Sequence, residues 1–320
     1  MEAYEILVIL FLVSFIGLLF TGYPIAWILG GLSLIFTALS IVLNQYFGID
    51  TFLLDRWQDF AIIVDRIFAQ MSNWVLVSLP MFIYMGLMLD RSGVADMMMT
   101  NFVRVFGRLR GGLALTVVLI GILLAASTGI VGASVVLLAT LSLPIMMREN
   151  YSKSLASGVV AASGTLGILI PPSIMLVIMA DQLSLSVGDL FMGAMFPGLL
   201  LGGLYVVYVL GIAQVRPDLA PPPKQTAKLT GREIWGAIVA TVPTLLLILA
   251  VLGTIFFGIA TPTEASGVGA FGATLLAAAN KRLDLNTIKT VGIETTLTTA
   301  FIFGIFIGAT AFALVMRSLG

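Results

Sequence analysis

Two clusters of small and hydroxyl-bearing residues interrupt the apolar middle of the chain. The first is Ser127-Thr128-Gly129 with Gly132-Ala133-Ser134; the second is Gly164 and Gly167 followed by Ile170-Pro171-Pro172-Ser173. Where a helix breaks, one half-helix end frees carbonyls and the other frees N–H groups. Such carbonyls, with serine and threonine hydroxyls, can replace the water around Na+, and the N–H end can face a carboxylate. Glycine lets the backbone turn sharply and approach a ligand. Proline at 171 and 172 suits the first turn of an outgoing half-helix, where a missing N–H costs nothing. Any single glycine or serine also suits close helix packing in a membrane. Two clusters in succession, one with a proline pair, favour a site for the regions as wholes.

The sequence contains no histidine and no cysteine. That removes the usual metal ligand, the usual proton carrier near neutral pH, and all thiol chemistry. No paired acidic motif lies inside an apolar span, so the familiar general-base and nucleophile sets are missing and the chain is not read as an enzyme. Glu264 is the one acidic residue near an apolar helix in the second half. It follows Pro262 in a first helical turn, where it complements the helix dipole. Met97-Met98-Met99 reads as apolar filler.

The elements that must position these clusters are membrane helices. Of 320 residues, 59% are hydrophobic and 10% charged, and the mean hydropathy is +1.11. A soluble domain is about half apolar and about a quarter charged. Sixteen basic and sixteen acidic residues leave no net charge, and no nucleic-acid partner is expected. The stretch Ile6 to Phe20 lacks a basic leader, carrying Glu2 and Glu5 instead, and no small-x-small cleavage site follows. It reads as a retained transmembrane helix.

A crossing needs about 20 apolar residues. The spans expected on that basis are 5–21, 24–43, 73–90, 188–212, 235–258, 263–280 and 296–316. The region 112–147 is too long for one crossing and is expected as a re-entrant hairpin; 154–181 is expected as a broken helix. With the N-terminus periplasmic, 13 of the 16 Lys and Arg residues fall on the cytoplasmic side, leaving Arg56, Arg66 and Arg317 outside, as the positive-inside rule requires. The outer loops carry Asp50, Asp55, Asp59 and Asp65, then Asp181 and Asp189. Segments 45–70 and 94–110 mix aromatic and charged residues, a pattern expected of helices lying in the interface plane.

A layout recurs: apolar helix, short proline turn, apolar helix, mixed arm, apolar helix, Arg-Ser. Pro24 and Gly31 match Pro262 and Gly269 at an offset of 238, and Arg91-Ser92 matches Arg317-Ser318 at 226. The copies are separated by a polar, proline-stiffened segment containing Pro221-Pro222-Pro223. An odd number of crossings in the first copy inverts the second, as in many secondary carriers. The expected architecture is therefore an all-α polytopic membrane protein with inverted repeats, a re-entrant helical hairpin and discontinuous helices. Its divisions are 1–213 (first repeat), 214–233 (cytoplasmic linker) and 234–320 (start of the second repeat). A complete protein of this design is expected to run to about 440 residues.

The residues Ser127 to Ser134, Leu143-Pro144 and Gly164 to Ile174 resemble the large membrane subunit of TRAP transporters. Phe196-Pro197-Gly198-Leu199-Leu200-Leu201-Gly202 and Thr261-Pro262-Thr263-Glu264-Ala265 match that family's pattern as well. The resemblance implies a Na+-driven importer of organic acids with an elevator-type mechanism in the bacterial inner membrane. It implies two partners, a small four-helix membrane subunit and a periplasmic substrate-binding protein. Na+ is the coupling ion, and no other cofactor is implied. Carried over by position, the first Na+ site falls on Ser127, Gly129, Gly132, Ser134, Thr165, Gly167, Pro171 and Ser173, with Thr128, Ser134, Pro172 and Ser173 near the substrate. Many members carry aspartate where this chain has Ser134, which resembles a branch linked to 2-oxo acids and similar carboxylates. The family's second hairpin is expected beyond Gly320. A channel would share the membrane class without the transport cycle, and a standalone Na+/carboxylate symporter would need no binding protein.

Overall fold

The computed structural model describes residues 3–49, 51, 53–54, 56–107, 109–128, 131–221 and 231–319. These residues form α-helices and one 3-10 turn, with no strand among them. In chain order the helices are α1 (Ala3–Leu19), α2 (Ile25–Phe47), α3 (Trp57–Met71), α4 (Ser78–Arg91), α5 (Val94–Phe106), α6 (Gly112–Thr128) and α7 (Val131–Arg148). They continue as α8 (Lys153–Leu169), α9 (Ile174–Gln182), α10 (Val187–Val215), α11 (Gly231–Phe256), α12 (Pro262–Ala279) and α13 (Leu285–Leu319). Five helical stretches are long and apolar enough to cross a membrane, and α8 with α9, bent by 42° at their break, makes a sixth. The chain is thus a multi-pass helical membrane protein.

Local chemistry sets the helix ends. Pro262 begins α12 behind a capping box in which Thr261 N–H donates to the Glu264 carboxylate at 2.8 Å and Glu264 N–H donates to the Thr261 hydroxyl at 3.3 Å. Glu264 is therefore a cap, as its place after Pro262 suggests. Gly48 closes α2 in the left-handed conformation (φ 64°), which glycine adopts without steric cost. Asp284 accepts the Thr287 N–H at 2.7 Å. The side chain and N–H of Thr287 together hold its carboxyl below the usual value.

Several elements differ from expectation. Helix α8 runs unbroken through Gly164 and Gly167, so the interruption is confined to residues 170–173. Isolated glycines cost a helix only about 1 kcal/mol each, and these two are buried against neighbours. Pro171 and Pro172, joined by a cis peptide bond, precede the N-cap Ser173 and lie outside the first turn of α9. The mixed arm at 281–295 and the apolar span 296–316 fuse into α13, since Gly292 alone does not stop the helix. Helix α12 is less apolar than the five spans, because its buried stripe is Ala265, Ser266, Gly269, Ala270, Ala273 and Ala277. The two interfacial segments are helical in part, as α3 and α5. Helix α3 buries none of its residues.

The chain divides into two compact units, residues 1–73 with 296–320, and residues 74–295. In the first, Phe11 stacks on Phe312 at 4.4 Å and meets Phe36 edge-on at 5.0 Å. Leu7, Leu32, Leu54, Val315 and Leu319 complete that core. A methyl group added at Gly308 of α13 would stand 2.7 Å from the Ala26 carbonyl oxygen of α2.

In the second unit, α4 and α12 run side by side. Thr263 donates to the Trp74 carbonyl at 2.8 Å at one end, and Asn280 donates to the Ser92 carbonyl at 3.3 Å at the other. Between them a methyl group at Gly269 would lie 2.6 Å from Met85 Sδ. Close approach through small residues is how membrane helices gain dispersion contact. The Arg91–Glu294 ion pair at 2.7 Å is 48% and 37% exposed, and such pairs contribute about 0–1 kcal/mol.

Packing rather than charge should therefore hold this junction. Gly269→Leu is expected to destabilise the protein by roughly 1–3 kcal/mol through overpacking. Glu294→Gln should cost less than about 1 kcal/mol. Thermal unfolding in detergent checks both, and equal losses would refute the assignment.

Candidate functional site

The site is built where α6, α7 and α8 converge on the break before α9. Two glycines let the helices approach. A methyl group at Gly121 of α6 would meet Ser163 Cβ at 2.6 Å and the Ser163 carbonyl at 3.1 Å. At Gly164 of α8 it would collide with the Val135 side chain and stand 3.0 Å from the Val135 backbone nitrogen. Val135 follows Ser134 in the first turns of α7, so Ser134, only 1% exposed, is held beside the glycine face of α8. Ala-sized or larger residues at 121 or 164 would push the hairpin off α8.

The break is supported from behind by α10. A methyl group at Gly198 would lie 2.9 Å from Ile170 Cγ1 and 3.3 Å from the Leu169 carbonyl. Ile170 N–H donates to the Leu166 carbonyl at 2.9 Å, closing α8. Pro171 and Pro172 have no N–H, so the carbonyls of Gly167 and Ile168 lack the donors that would continue the helix.

Ser173 then starts α9 in extended geometry (φ −121°, ψ 129°), and its carbonyl accepts the Val177 N–H at 3.2 Å. An N-cap serine ordinarily turns its hydroxyl onto a first-turn N–H. Here it makes no such bond. Ser173 is fully buried, and its hydroxyl has no hydrogen-bond partner among the described residues. Ser163 is in the same condition. A buried hydroxyl left unpaired costs about 1–3 kcal/mol. Freed carbonyls, a free hydroxyl and unpaired N–H groups at one break suit a hard cation on one side and an anion on the other.

The expected site residues fall unevenly on this geometry. Gly167, Pro171, Pro172 and Ser173 are buried at or beside the break. Gly132 and Ser134 lie in the first turns of α7, Gly132 exposed with open space around it. Thr165 is exposed, and its hydroxyl donates back to the Ala162 carbonyl at 2.7 Å. Ser127 and Thr128 are the last two residues of α6, and Gly129 lies outside the described residues. Sequence reasoning passed over Ser163, whose position against Gly121 depends on a contact between distant segments. It also passed over the Ile168 carbonyl, which the missing N–H of Pro172 does reveal. None of these positions carries a titratable side chain, so a ligand there would meet neutral oxygens and dipoles.

Known proteins resemble this sequence. A family model described as the DctM component of the tripartite ATP-independent periplasmic transporters matches residues 12–320. The C4-dicarboxylate TRAP transporter large permease protein DctM of Vibrio cholerae is 33% identical, over 82% of this chain and 54% of its own length. Its counterpart in Rhodobacter capsulatus is 31% identical over 95% of this chain and 68% of the relative. The sialic acid TRAP transporter large permease protein of Vibrio cholerae is 28% identical over 93% of this chain. The chain spans about half the length of the first two curated relatives, 54% and 47%. With the helical hairpin, the broken helix and this match over nearly its whole length, the chain belongs to the DctM family of TRAP transporter large permease subunits.

Proposed function

We propose that the chain serves a binding-protein-dependent importer of an organic acid, driven by Na+ symport and working by an elevator-type movement. The observation that carries this reading is the break at 170–173. There a proline pair removes two helix donors, and the Ser173 hydroxyl is buried without a partner among the described residues. Na+ would take the Gly167 and Ile168 carbonyls with the Ser173 hydroxyl, joined by the hairpin tip at Ser127, Gly129, Gly132 and Ser134. The first-turn N–H groups of α9 would face a substrate carboxylate, beside Thr128 and Pro172.

Relatives named for C4-dicarboxylates, sialic acid and 2,3-diketo-L-gulonate favour an organic-acid substrate. Ser134, where many members carry aspartate, resembles a branch linked to 2-oxo acids and similar carboxylates. The partners are a small four-helix membrane subunit and a periplasmic binding protein, and the N-terminus is periplasmic. The pairing of α4 with α12, and of α2 with α13, supports inverted repeats. By the offsets of 238 and 226, each pair joins one copy's helix after the proline turn to the other copy's closing helix.

The full subunit reconstituted with its small partner should take up labelled 2-oxo acid only with an inward Na+ gradient and the binding protein. Uptake without the binding protein would indicate a standalone symporter, and uptake indifferent to Na+ would refute the coupling. Ser173→Ala should raise the half-saturating Na+ concentration on the order of tenfold, about 1.4 kcal/mol, at unchanged expression. Unaltered Na+ dependence in that variant would remove Ser173 from the site.

A further inference from the structure

A groove of about 760 Å³ opens between α8 and α10, on the opposite end of α8 from the break. Its walls are two helical stripes. From α8 come Ser154, Leu155, Gly158, Val159 and Ala162; from α10 come Leu201, Tyr205, Tyr208 and Ile212, with Arg216 at its C-cap. Both sets recur at the spacing of one helix face. Gly158 is exposed, and a methyl group added there would meet nothing within 4 Å, so the glycine leaves the groove open rather than serving a contact.

Polarity is graded along the groove. The mouth carries Ser152, Ser154 and Arg216, and the inner end closes on Val118, Leu201, Tyr205 and Ser163. Ser152 N–H donates to the Leu219 carbonyl at 3.0 Å, which ties the turn after α10 to the start of α8. Ser152 caps α8 without its hydroxyl accepting a first-turn bond, so the N–H groups of that turn remain available at the mouth. Among the described residues, Arg216 is the one charged side chain lining the groove, and no carboxylate pairs with it. The neighbouring turns hold Arg148 and Lys153 against Glu149 and Asp218. The mouth therefore offers an unpaired guanidinium and a helix N-terminus, both suited to a phosphate.

Length fits as well as charge. From Ser152 to Ser163 along α8 is about 16 Å at 1.5 Å per residue. One leaflet of the hydrocarbon core is about half of 30 Å. A soluble anion would use the mouth and leave the apolar length below it empty.

We propose that this groove seats an anionic phospholipid, its phosphate on Arg216 and the start of α8, and one acyl chain along Gly158 and Leu201. The assignment rests on the chain spanning a membrane and is independent of what the protein carries. Basic pockets between membrane helices on the cytoplasmic side are known receptors for anionic headgroups, and the proposed orientation puts this mouth there.

The test uses the full-length protein, purified in detergent, stripped of lipid and examined by native mass spectrometry. Phosphatidylglycerol and phosphatidylcholine of identical chains, and glycerol 3-phosphate, are the probes. Phosphatidylglycerol should be retained at least fivefold more than phosphatidylcholine. Arg216→Gln should abolish that preference, and Gly158→Phe should reduce retention of both lipids. Equal retention of the two lipids by the wild type would overturn the proposal. So would an undiminished preference in Arg216→Gln, whose side chain is exposed and forms no ion pair among the described residues. Competition by glycerol 3-phosphate at the lipid's own concentration would mark a soluble-phosphate site and likewise overturn it.

Discussion

A peptide group inside a bilayer must find a partner within the protein, because the hydrocarbon offers none. Everything distinctive about this chain follows from where that rule is met and where it is suspended. Along most of its length the helices satisfy their own backbone. At 170–173 they do not: the chain places two residues without N–H groups in succession and follows them with a buried, unpaired hydroxyl. Several polar atoms left open at one depth is an expensive arrangement unless something occupies it. The surrounding helices are packed to hold it open rather than to heal it.

That packing depends on small residues. Gly121 and Gly164 let α6 and α7 lie against α8, while Gly198 brings α10 onto the back of the break. Away from the site the same device holds α4 to α12 through Gly269, and α13 to α2 through Gly308. Lipid tails are as apolar as leucine, so membrane helices gain little by burying bulk and much by approaching closely. The glycines inside the helices thus serve close packing. At Gly158 of α8 no described residue lies within 4 Å of where a Cβ would stand.

Much of this was legible in the sequence. The apolar lengths gave the helices, the prolines at 24 and 262 gave two helix starts, and the proline pair at 171–172 marked the break. The Thr261–Glu264 cap was legible because its partners are three residues apart. What was not legible depended on distant segments. Gly164 and Gly167 read as interruptions, since composition alone cannot distinguish a glycine that breaks a helix from one that admits a neighbour. The fusion of the second arm into α13 was hidden for a related reason. Its polarity resembles an interfacial arm, yet no residue in it stops a helix. Ser163 was missed because its isolation depends on α6 lying across it.

The most direct test of a cation at the break is hydrogen–deuterium exchange on the full-length subunit, comparing isotonic NaCl with KCl. The peptide to follow covers residues 166–178, which holds the end of α8, the proline pair and the first turn of α9. The expected result is slower exchange of this peptide in Na+ than in K+, with peptides from α1 and α2 unchanged. Identical exchange in the two salts would contradict the assignment of the break as a Na+ site.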